Sequence, residues 1–165
     1  PEISAPATRP RLRFSGANTH GLVRCAVTLE RDVGVDVEPL RADAPREIVD
    51  GHFAAVERDA LLRLSPADRP RRFIELWTLK EAYIKARGLG LAIALDRFWF
   101  DLDAGPPRLT IDPGLDDDAS SWQLDLWSPT PTHCAALCVQ RGDGAPLALA
   151  TRWESLDRGP ELPGP

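Results

Sequence analysis

Residues 70–87 carry the strongest helical pattern in this 165-residue sequence and limit the folds open to it. Apolar side chains recur there at the three- and four-residue spacing of a helix that buries one face. Arg87 and Gly88 close the segment in the usual way of a helix C-terminus. The apolar positions are Phe73, Leu76, Trp77, Leu79, Ala82, Tyr83 and Ile84. We therefore predict one long helix that packs on the rest of the fold.

Most of the remaining sequence is typical of strands. In 33–38, valines alternate with Gly34, Asp36 and Glu38, which is the period of a half-buried strand. Only two residues separate this segment from apolar residues 21–30, so we predict that the two form a hairpin. Short helices are predicted at 45–53 and 56–64, a strand at about 96–102, and up to four more strands in PPRLTI, WQLDLWS, HCAALCV and LALATRW. The pattern predicts an α+β fold with a mostly antiparallel sheet packed on one long helix.

Composition excludes several classes of protein. A net charge of −5 and a pI near 5.2 argue against a general nucleic-acid binder, which needs a basic face. No apolar run approaches the roughly 20 residues of a membrane-spanning helix, and residues 1–14 lack the apolar core of a signal peptide. Three cysteines form no CxxC pair, and Cys134 and Cys138 lie in an apolar run. We expect core thiols and a reducing, cytoplasmic compartment, with no nucleic-acid or membrane partner.

Lysine is confined to one segment of the chain. The sequence has 20 basic residues, and all are arginine except Lys80 and Lys85 in WTLKEAYIKARG. Codon bias and chance explain this distribution. A requirement for two ammonium groups at one place explains it as well, and the composition alone does not choose between them.

Three acidic side chains are candidates for a metal site. Asp36 and Glu38 are two apart on a predicted strand, so their carboxylates share a face and repel each other. A hard cation such as Mg²⁺ relieves that repulsion and also binds phosphate oxygens. Trp77, Glu81 and Lys85 lie on one stripe of the predicted helix. The simpler alternatives are a solvated strand face and a surface Glu–Lys pair.

These two segments together resemble the paired signature of the 4′-phosphopantetheinyl transferases. GVDVE matches the pattern (V/I)G(I/V)D(I/V)E, and WTLKEAYIKARG matches (F/W)(S/T)xKE(A/S)xxKxxG. Between them, FAAVERDALLRL resembles the family's F-x-x-x-E-x-x-x-L segment and places Phe53 and Glu57. The motif separation and the β-rich end resemble the long, surfactin-synthetase-activating type. The resemblance covers about residues 10–145.

The resemblance implies an activity and a role for each motif residue. The family transfers the phosphopantetheine arm of coenzyme A to a serine of an acyl or peptidyl carrier protein. Asp36, Glu38 and Glu81 would hold Mg²⁺ or Mn²⁺ and the diphosphate of coenzyme A, with Glu81 as general base. Lys85 would stabilise or protonate the leaving 3′,5′-ADP, and Lys80 would lie near the phosphates or the carrier.

The coenzyme A segment departs from the family pattern F-N-x-S-H-(S/T)-x-G. This chain reads FSGANTHG, so Ser15, Ala17 and Asn18 stand where Asn, Ser and His are usual. Asn18 and Thr19 remain the candidates for coenzyme A contacts, although Asn18 carries no charge. His20 is an alternative, since it would share a strand face with Asn18.

The resemblance also sets an expected domain organisation. Residues 1–12 would be an extended connecting segment, 13–155 the catalytic lobe of a pseudo-dimeric fold, and 156–165 a disordered tail. The acidic run 116–118 would be a solvated loop. Because the long type has two lobes, we expect a missing N-terminal lobe or self-association of the chain.

Two other hypotheses remain. The chain could be a non-catalytic, degenerate homologue that binds a carrier protein or a partner lobe. It could also be an unrelated α+β domain whose acidic strand is merely solvated.

Overall fold

The computed structural model describes residues 10–41, 43–90, 93–142 and 145–154. Seven strands and three α-helices lie within these ranges. In chain order they are β1 (Leu12–Thr19), β2 (Leu22–Leu29), β3 (Val33–Pro39), α1 (Arg46–His52), α2 (Ala55–Arg63), α3 (Arg69–Arg87), β4 (Phe98–Asp101), β5 (Arg108–Ile111), β6 (Trp122–Thr130) and β7 (His133–Gln140). The predicted connecting segment 1–12 is described only from residue 10 onwards, and the predicted tail 156–165 lies outside the described residues.

The described strands form three antiparallel sheets. The central sheet has the order β3–β7–β6, with β3 paired along its whole length from Val33 opposite Val139 to Pro39 opposite His133. Strands β1 and β2 form one two-stranded sheet, and β4 and β5 form another. Helix α3 packs on the central sheet. The predicted α+β class, with antiparallel strands and one long helix, is confirmed.

The predicted hairpin of 21–30 with 33–38 is wrong. Strand β2 instead pairs with β1 across the turn at His20 and Gly21, where Gly21 has φ 75°. A two-residue turn of this kind favours a glycine with positive φ. Strand β3 is buried on both faces from Val33 to Val37, because α3 covers one face, β1 covers the other, and β7 pairs with its edge. Alternating apolar residues predict a strand, but they do not predict which other strand it pairs with.

Two further expectations are corrected. The described residues 145–154, which include the predicted strand LALATRW, contain no strand. This segment is fixed at Leu147, whose backbone N–H and C=O bond the Gln123 side chain at 2.7 and 3.1 Å. In the acidic run, Asp117 is not a solvated group: its carboxylate accepts hydrogen bonds from Tyr83, Arg87 and Trp122.

Strand β3 approaches α3 closely at Gly34. A Cβ atom added to Gly34 would overlap the carbonyl oxygen of Ala82 and the backbone nitrogen of Ala86. Only hydrogen fits there, and the small side chains of the helix complete the contact. The face of β3 that carries Gly34 also carries Asp36 and Glu38, so this contact sets how near those carboxylates come to the helix.

Burial agrees with the expected thiol chemistry. Cys134 and Cys138 are buried in the core and Cys25 is exposed, all three unpaired. Burial raises the pKa of the Cys134 thiol to about 12. No helix in the described part of the chain has the length and apolarity needed to cross a membrane.

The Gly34→Ala substitution should destabilise the fold by at least about 1–3 kcal/mol, the usual cost of overpacking, because backbone atoms of α3 have to move. Gly51→Ala is the matched control, since Gly51 lies in α1 with no atom within 4 Å of the added methyl group. That variant should be neutral or slightly more stable. Urea denaturation measures both, and equal midpoints for Gly34→Ala and the parent would contradict the packing argument.

Candidate active site

The acidic face of β3 lies against one stripe of α3. Asp36 is 5% exposed, and its Oδ1 atom forms an ion pair with Lys85 Nζ at 2.7 Å. The Lys85 ammonium also lies 3.4 Å from the Val35 carbonyl oxygen, to which it donates. Oδ2 of Asp36 is buried and has no hydrogen-bond partner among the described residues. Half of this carboxylate is therefore desolvated without compensation.

Glu38 lies two residues after Asp36 on the same face of β3, and it also faces α3. The Trp77 side chain lies close enough to Glu38 to lower the pKa of its carboxyl group, and Arg41 lies 3.8 Å from the same carboxylate. Glu81 is half-buried one helical turn from both Trp77 and Lys85. Since Gly34 meets Ala86 while Glu38 meets Trp77, strand and helix run in opposite directions.

The three carboxylates form one electrostatic cluster. Burial raises the pKa of Asp36, Glu38 and Glu81. The charge of Asp36 further raises the pKa of the other two, whereas the Lys85 ammonium lowers the pKa of all three. Three carboxylates face the Lys85 ammonium group and, at Glu38, the Arg41 guanidinium group, so positive charge is in deficit here.

A divalent cation fits this donor set by chemistry. Carboxylate oxygens are the ligands that hard cations prefer, and the unpartnered Oδ2 of Asp36 is an available donor atom. As the side chains stand, no three His, Cys, Asp or Glu groups among the described residues converge on one point at ligand spacing. The cluster thus supplies the charge and the donors, while its side chains would have to rotate towards a bound ion.

Lys80 does not belong to this cluster, contrary to its expected place near the phosphates or the carrier. It is fully buried, and its ammonium group forms an ion pair with Glu57 at 2.8 Å. It also donates to the carbonyl oxygens of Leu95 and Phe98 at 2.8 and 2.7 Å. These three acceptors use all three N–H bonds of the ammonium group. Lys80 faces the core and not this cluster, because it lies about 100° around the helix from Glu81.

Glu57 and Asp117 bind side chains of α3, and sequence analysis predicted neither contact. Besides Lys80, Glu57 accepts from the backbone N–H groups of Ala54 and Phe100, each at 3.0 Å. It therefore joins α2, α3 and β4 in the core. The family segment F-x-x-x-E marked Glu57, but only the fold reveals its partners.

The predicted coenzyme A contacts lie at the end of β1. Asn18 is exposed and Thr19 is half-exposed, opposite Val23 and Leu22 of β2. Neighbouring Ala17 is buried in a cluster with Val35 and Val37 of β3, so the strand passes over the central sheet. His20 lies in the turn, not on the strand face of Asn18.

Ser15 shows what one departure from the family pattern does. Its buried hydroxyl accepts a hydrogen bond from the Val35 N–H at 3.1 Å and ties β1 to β3.

Sequence comparison connects these residues to a known family. A sequence model of the 4′-phosphopantetheinyl transferase superfamily matches residues 32–138. The chain is 37% identical over 82 residues to the 4′-phosphopantetheinyl transferase HetI of Nostoc, covering 49% of this chain and 35% of that protein. It is 27% identical over 147 residues to the 4′-phosphopantetheinyl transferase Sfp of Bacillus subtilis, covering 89% of this chain and 63% of that protein. The chain thus spans between about a third and two thirds of these relatives.

Solved structures share the fold. The holo-[acyl-carrier-protein] synthase of Thermotoga maritima superposes with a TM-score of 0.53 at 23% identity, over 66% of this chain and 62% of that one. A holo-(acyl-carrier-protein) synthase of Bacillus anthracis, solved in complex with CoA (3′,5′-ADP), gives 0.52 at 19% identity, over 66% and 94%. With the matched motifs lying together on β3 and α3, the chain belongs to the 4′-phosphopantetheinyl transferase superfamily.

Proposed function

We propose that this chain is the catalytic lobe of an Mg²⁺-dependent 4′-phosphopantetheinyl transferase that acts on a carrier-protein serine. One observation carries the proposal: Asp36 and Glu38 of β3 lie against the Trp77, Glu81 and Lys85 stripe of α3. Both halves of the family signature thereby meet in one partly buried, negatively charged place. A solvated acidic strand, the unrelated-domain hypothesis, would not be buried against a helix in this way.

Coenzyme A is the proposed donor of the transferred group. One related structure is a holo-(acyl-carrier-protein) synthase in complex with CoA (3′,5′-ADP), and another is described as an ACPS–CoA complex. Asn18 and Thr19, at the exposed end of β1, are proposed to contact coenzyme A. The acceptor is proposed to be a serine of an acyl or peptidyl carrier protein.

The carboxylates are proposed to hold Mg²⁺ or Mn²⁺. Asp36, Glu38 and Glu81 would be the protein ligands, and a bound cation would neutralise the diphosphate of coenzyme A. Each carboxylate has a reason to accept a cation, because burial penalises its negative charge.

Two side chains of α3 would then move protons. Glu81 takes the proton from the attacking serine hydroxyl, and its raised pKa makes it a better base than an exposed carboxylate. The serine oxygen forms a bond to the phosphorus of the phosphopantetheine arm, and the bond from that phosphorus to the 3′,5′-ADP oxygen breaks. Lys85, a third exposed, donates charge or a proton to this leaving group.

A companion lobe or a second copy of the chain is proposed to complete the coenzyme A site. The chain spans only 35% of HetI and 63% of Sfp. Its hairpin also exposes large apolar side chains of β2, with Val23, Val27 and Leu29 each more than half exposed. Such a surface is usually covered by another chain or lobe. The proposed compartment is the cytoplasm, which suits three unpaired cysteines.

A non-catalytic homologue is the second candidate, and one observation favours it. At the departures from the coenzyme A pattern, Ala17 is buried and Asn18 is uncharged. Calorimetry distinguishes the candidates, since the enzyme should bind coenzyme A in the presence of Mg²⁺. The homologue would bind a carrier protein without binding coenzyme A.

Transfer is tested with coenzyme A, Mg²⁺ and an apo carrier protein, with the mass gain of the carrier as readout. The protein, with any companion lobe, should add one phosphopantetheine group. Glu81→Gln should lower the rate by roughly a hundredfold or more, because the general base is lost. Glu75→Gln is the control on the same helix, since Glu75 pairs with Arg71 and Arg72 outside the site. Full activity of Glu81→Gln would remove Glu81 from the mechanism.

The two lysines should separate stability from catalysis. Lys80→Met should cost roughly 3–5 kcal/mol of unfolding free energy, because Glu57 is left buried without its partner. Lys85→Met should cost less, roughly 1–3 kcal/mol, because Asp36 is left buried without its cation while Lys85 itself is partly solvated, and it should strongly reduce transfer. Urea denaturation and the transfer assay measure the two effects. A Lys80→Met variant with the same urea midpoint as the parent would contradict the structural role of Lys80.

Mg²⁺ should stabilise the folded chain in a pH-dependent way. Without metal, the raised pKa values mean that the folded state binds more protons than the unfolded state. Stability then falls as the pH rises from the ordinary carboxyl range near 4 through the raised values. Metal binding needs the deprotonated groups, so the gain in Tm with Mg²⁺ should grow over the same window. Asp36→Asn should remove most of that gain; an unchanged gain would contradict the proposed ligand.

A further inference from the structure

The face of the central sheet opposite α3 lines a cleft. Val33, Val35 and Val37 alternate with Asp36 along β3, so they point away from α3. A cleft of about 1070 Å³ lies on this side, bounded by the sheet, by β2 and by the extended segment 147–154. The candidate active site and this cleft therefore occupy opposite faces of one sheet.

Arg24 of β2 lines the cleft with an incompletely paired guanidinium group. Its Nε and Nη2 atoms are both covered and have no hydrogen-bond partner among the described residues. These two nitrogens form one edge of the planar group, and their N–H bonds are parallel. This edge is the one that binds a carboxylate or phosphate through two hydrogen bonds at once.

The neighbours of Arg24 hold the guanidinium without satisfying that edge. Trp153 lies 4.2 Å from it and Trp127 lies 5.8 Å from it, measured to the ring centroids. Rings interact with the flat face of a guanidinium and leave its in-plane N–H groups free. Asp125 and Glu154 also line the cleft, yet neither forms an ion pair with Arg24, and the cation partner of Glu154 is Arg152.

We propose that Arg24 is an oxyanion-binding site, in which a carboxylate or phosphate group of a ligand binds side-on to Nε and Nη2. Two covered N–H groups without acceptors are costly, and a bound oxyanion converts that cost into two charge-assisted hydrogen bonds. Burial lowers the pKa of the guanidinium, but arginine keeps its charge at neutral pH. The metal and proton chemistry proposed for Asp36, Glu38 and Glu81 lies on the other sheet face, so its failure would leave this site untouched. The companion lobe proposed to cover β2 would border the cleft, because Val23, Val27 and Leu29 also line it.

Entry of the ligand requires part of the cleft wall to move, because both nitrogens are covered. The segment 147–154 is the wall without a strand ladder, and the Gln123 side chain fixes it at Leu147. Trp153 lies at the far end of this segment and is 58% exposed. We expect the oxyanion to displace this end while the Leu147 end stays in place.

The site is tested by the Tm of the full chain in sodium acetate, inorganic phosphate or sodium chloride at equal ionic strength. At least one oxyanion should raise the Tm in a saturable way beyond chloride. Acetate alone would identify a carboxylate ligand, and phosphate alone a phosphorylated one. Arg24→Met should lose the increment, and its Tm in chloride should be close to that of the parent, since the variant removes two covered N–H groups without acceptors together with the ring contacts. Arg152→Met is the matched control, because Arg152 lines the same cleft with an 86% exposed side chain.

Arg24→Lys keeps the charge but lacks the two-pronged edge. It should raise the half-saturating concentration by roughly tenfold, since one charge-assisted hydrogen bond is lost. Phosphate stabilises proteins generally through exclusion from their surface, so the comparison with Arg24→Met is decisive. An equal increment in Arg24→Met, or no increment beyond chloride in the parent, would overturn the proposal.

Discussion

The contact of Gly34 with α3 is the constraint on which the rest of the structure depends. Because Gly34 has no side chain, β3 lies directly on the backbone of Ala82 and Ala86. The next residue on the same strand face is Asp36, which then reaches Lys85 at 2.7 Å. A larger residue at position 34 would move the strand away and separate the two halves of the family signature. Close packing and the acidic cluster are thus consequences of one contact.

Helix α3 has to be fixed in rotation for this contact to be useful. Its far side is held by the buried ammonium group of Lys80, which binds Glu57 and two backbone carbonyl oxygens. Its C-terminal half is held by Asp117, which accepts from Tyr83 and Arg87. These groups occupy the faces of the helix that do not carry Glu81. They set the direction of the Trp77, Glu81 and Lys85 stripe without taking part in the proposed chemistry.

The two lysines show how burial decides the role of a residue type. Both lie on α3, five residues apart, in a chain whose other basic residues are arginines. Lys80 is fully buried and pairs with Glu57, while Lys85 is a third exposed and pairs with Asp36. The family resemblance implied a place near the phosphates for both, with the carrier as the alternative for Lys80. Of the two, only Lys85 is accessible from outside, so the proposed phosphate role is kept for Lys85 alone.

The sequence by itself determined the α+β class, the three helices, most strands and the motif residues, because these follow from local periodicity and from the paired signature. It did not determine which strands pair. Alternation in 33–38 is the same for either partner, so the hairpin of β1 with β2 and the pairing of β3 with β7 appear only in the fold. The partners of Lys80, Asp117 and Arg24 were also decided by tertiary structure, since residues distant along the chain supply their surroundings. Charge and spacing can be read from a sequence, whereas desolvation arises only when the chain is packed.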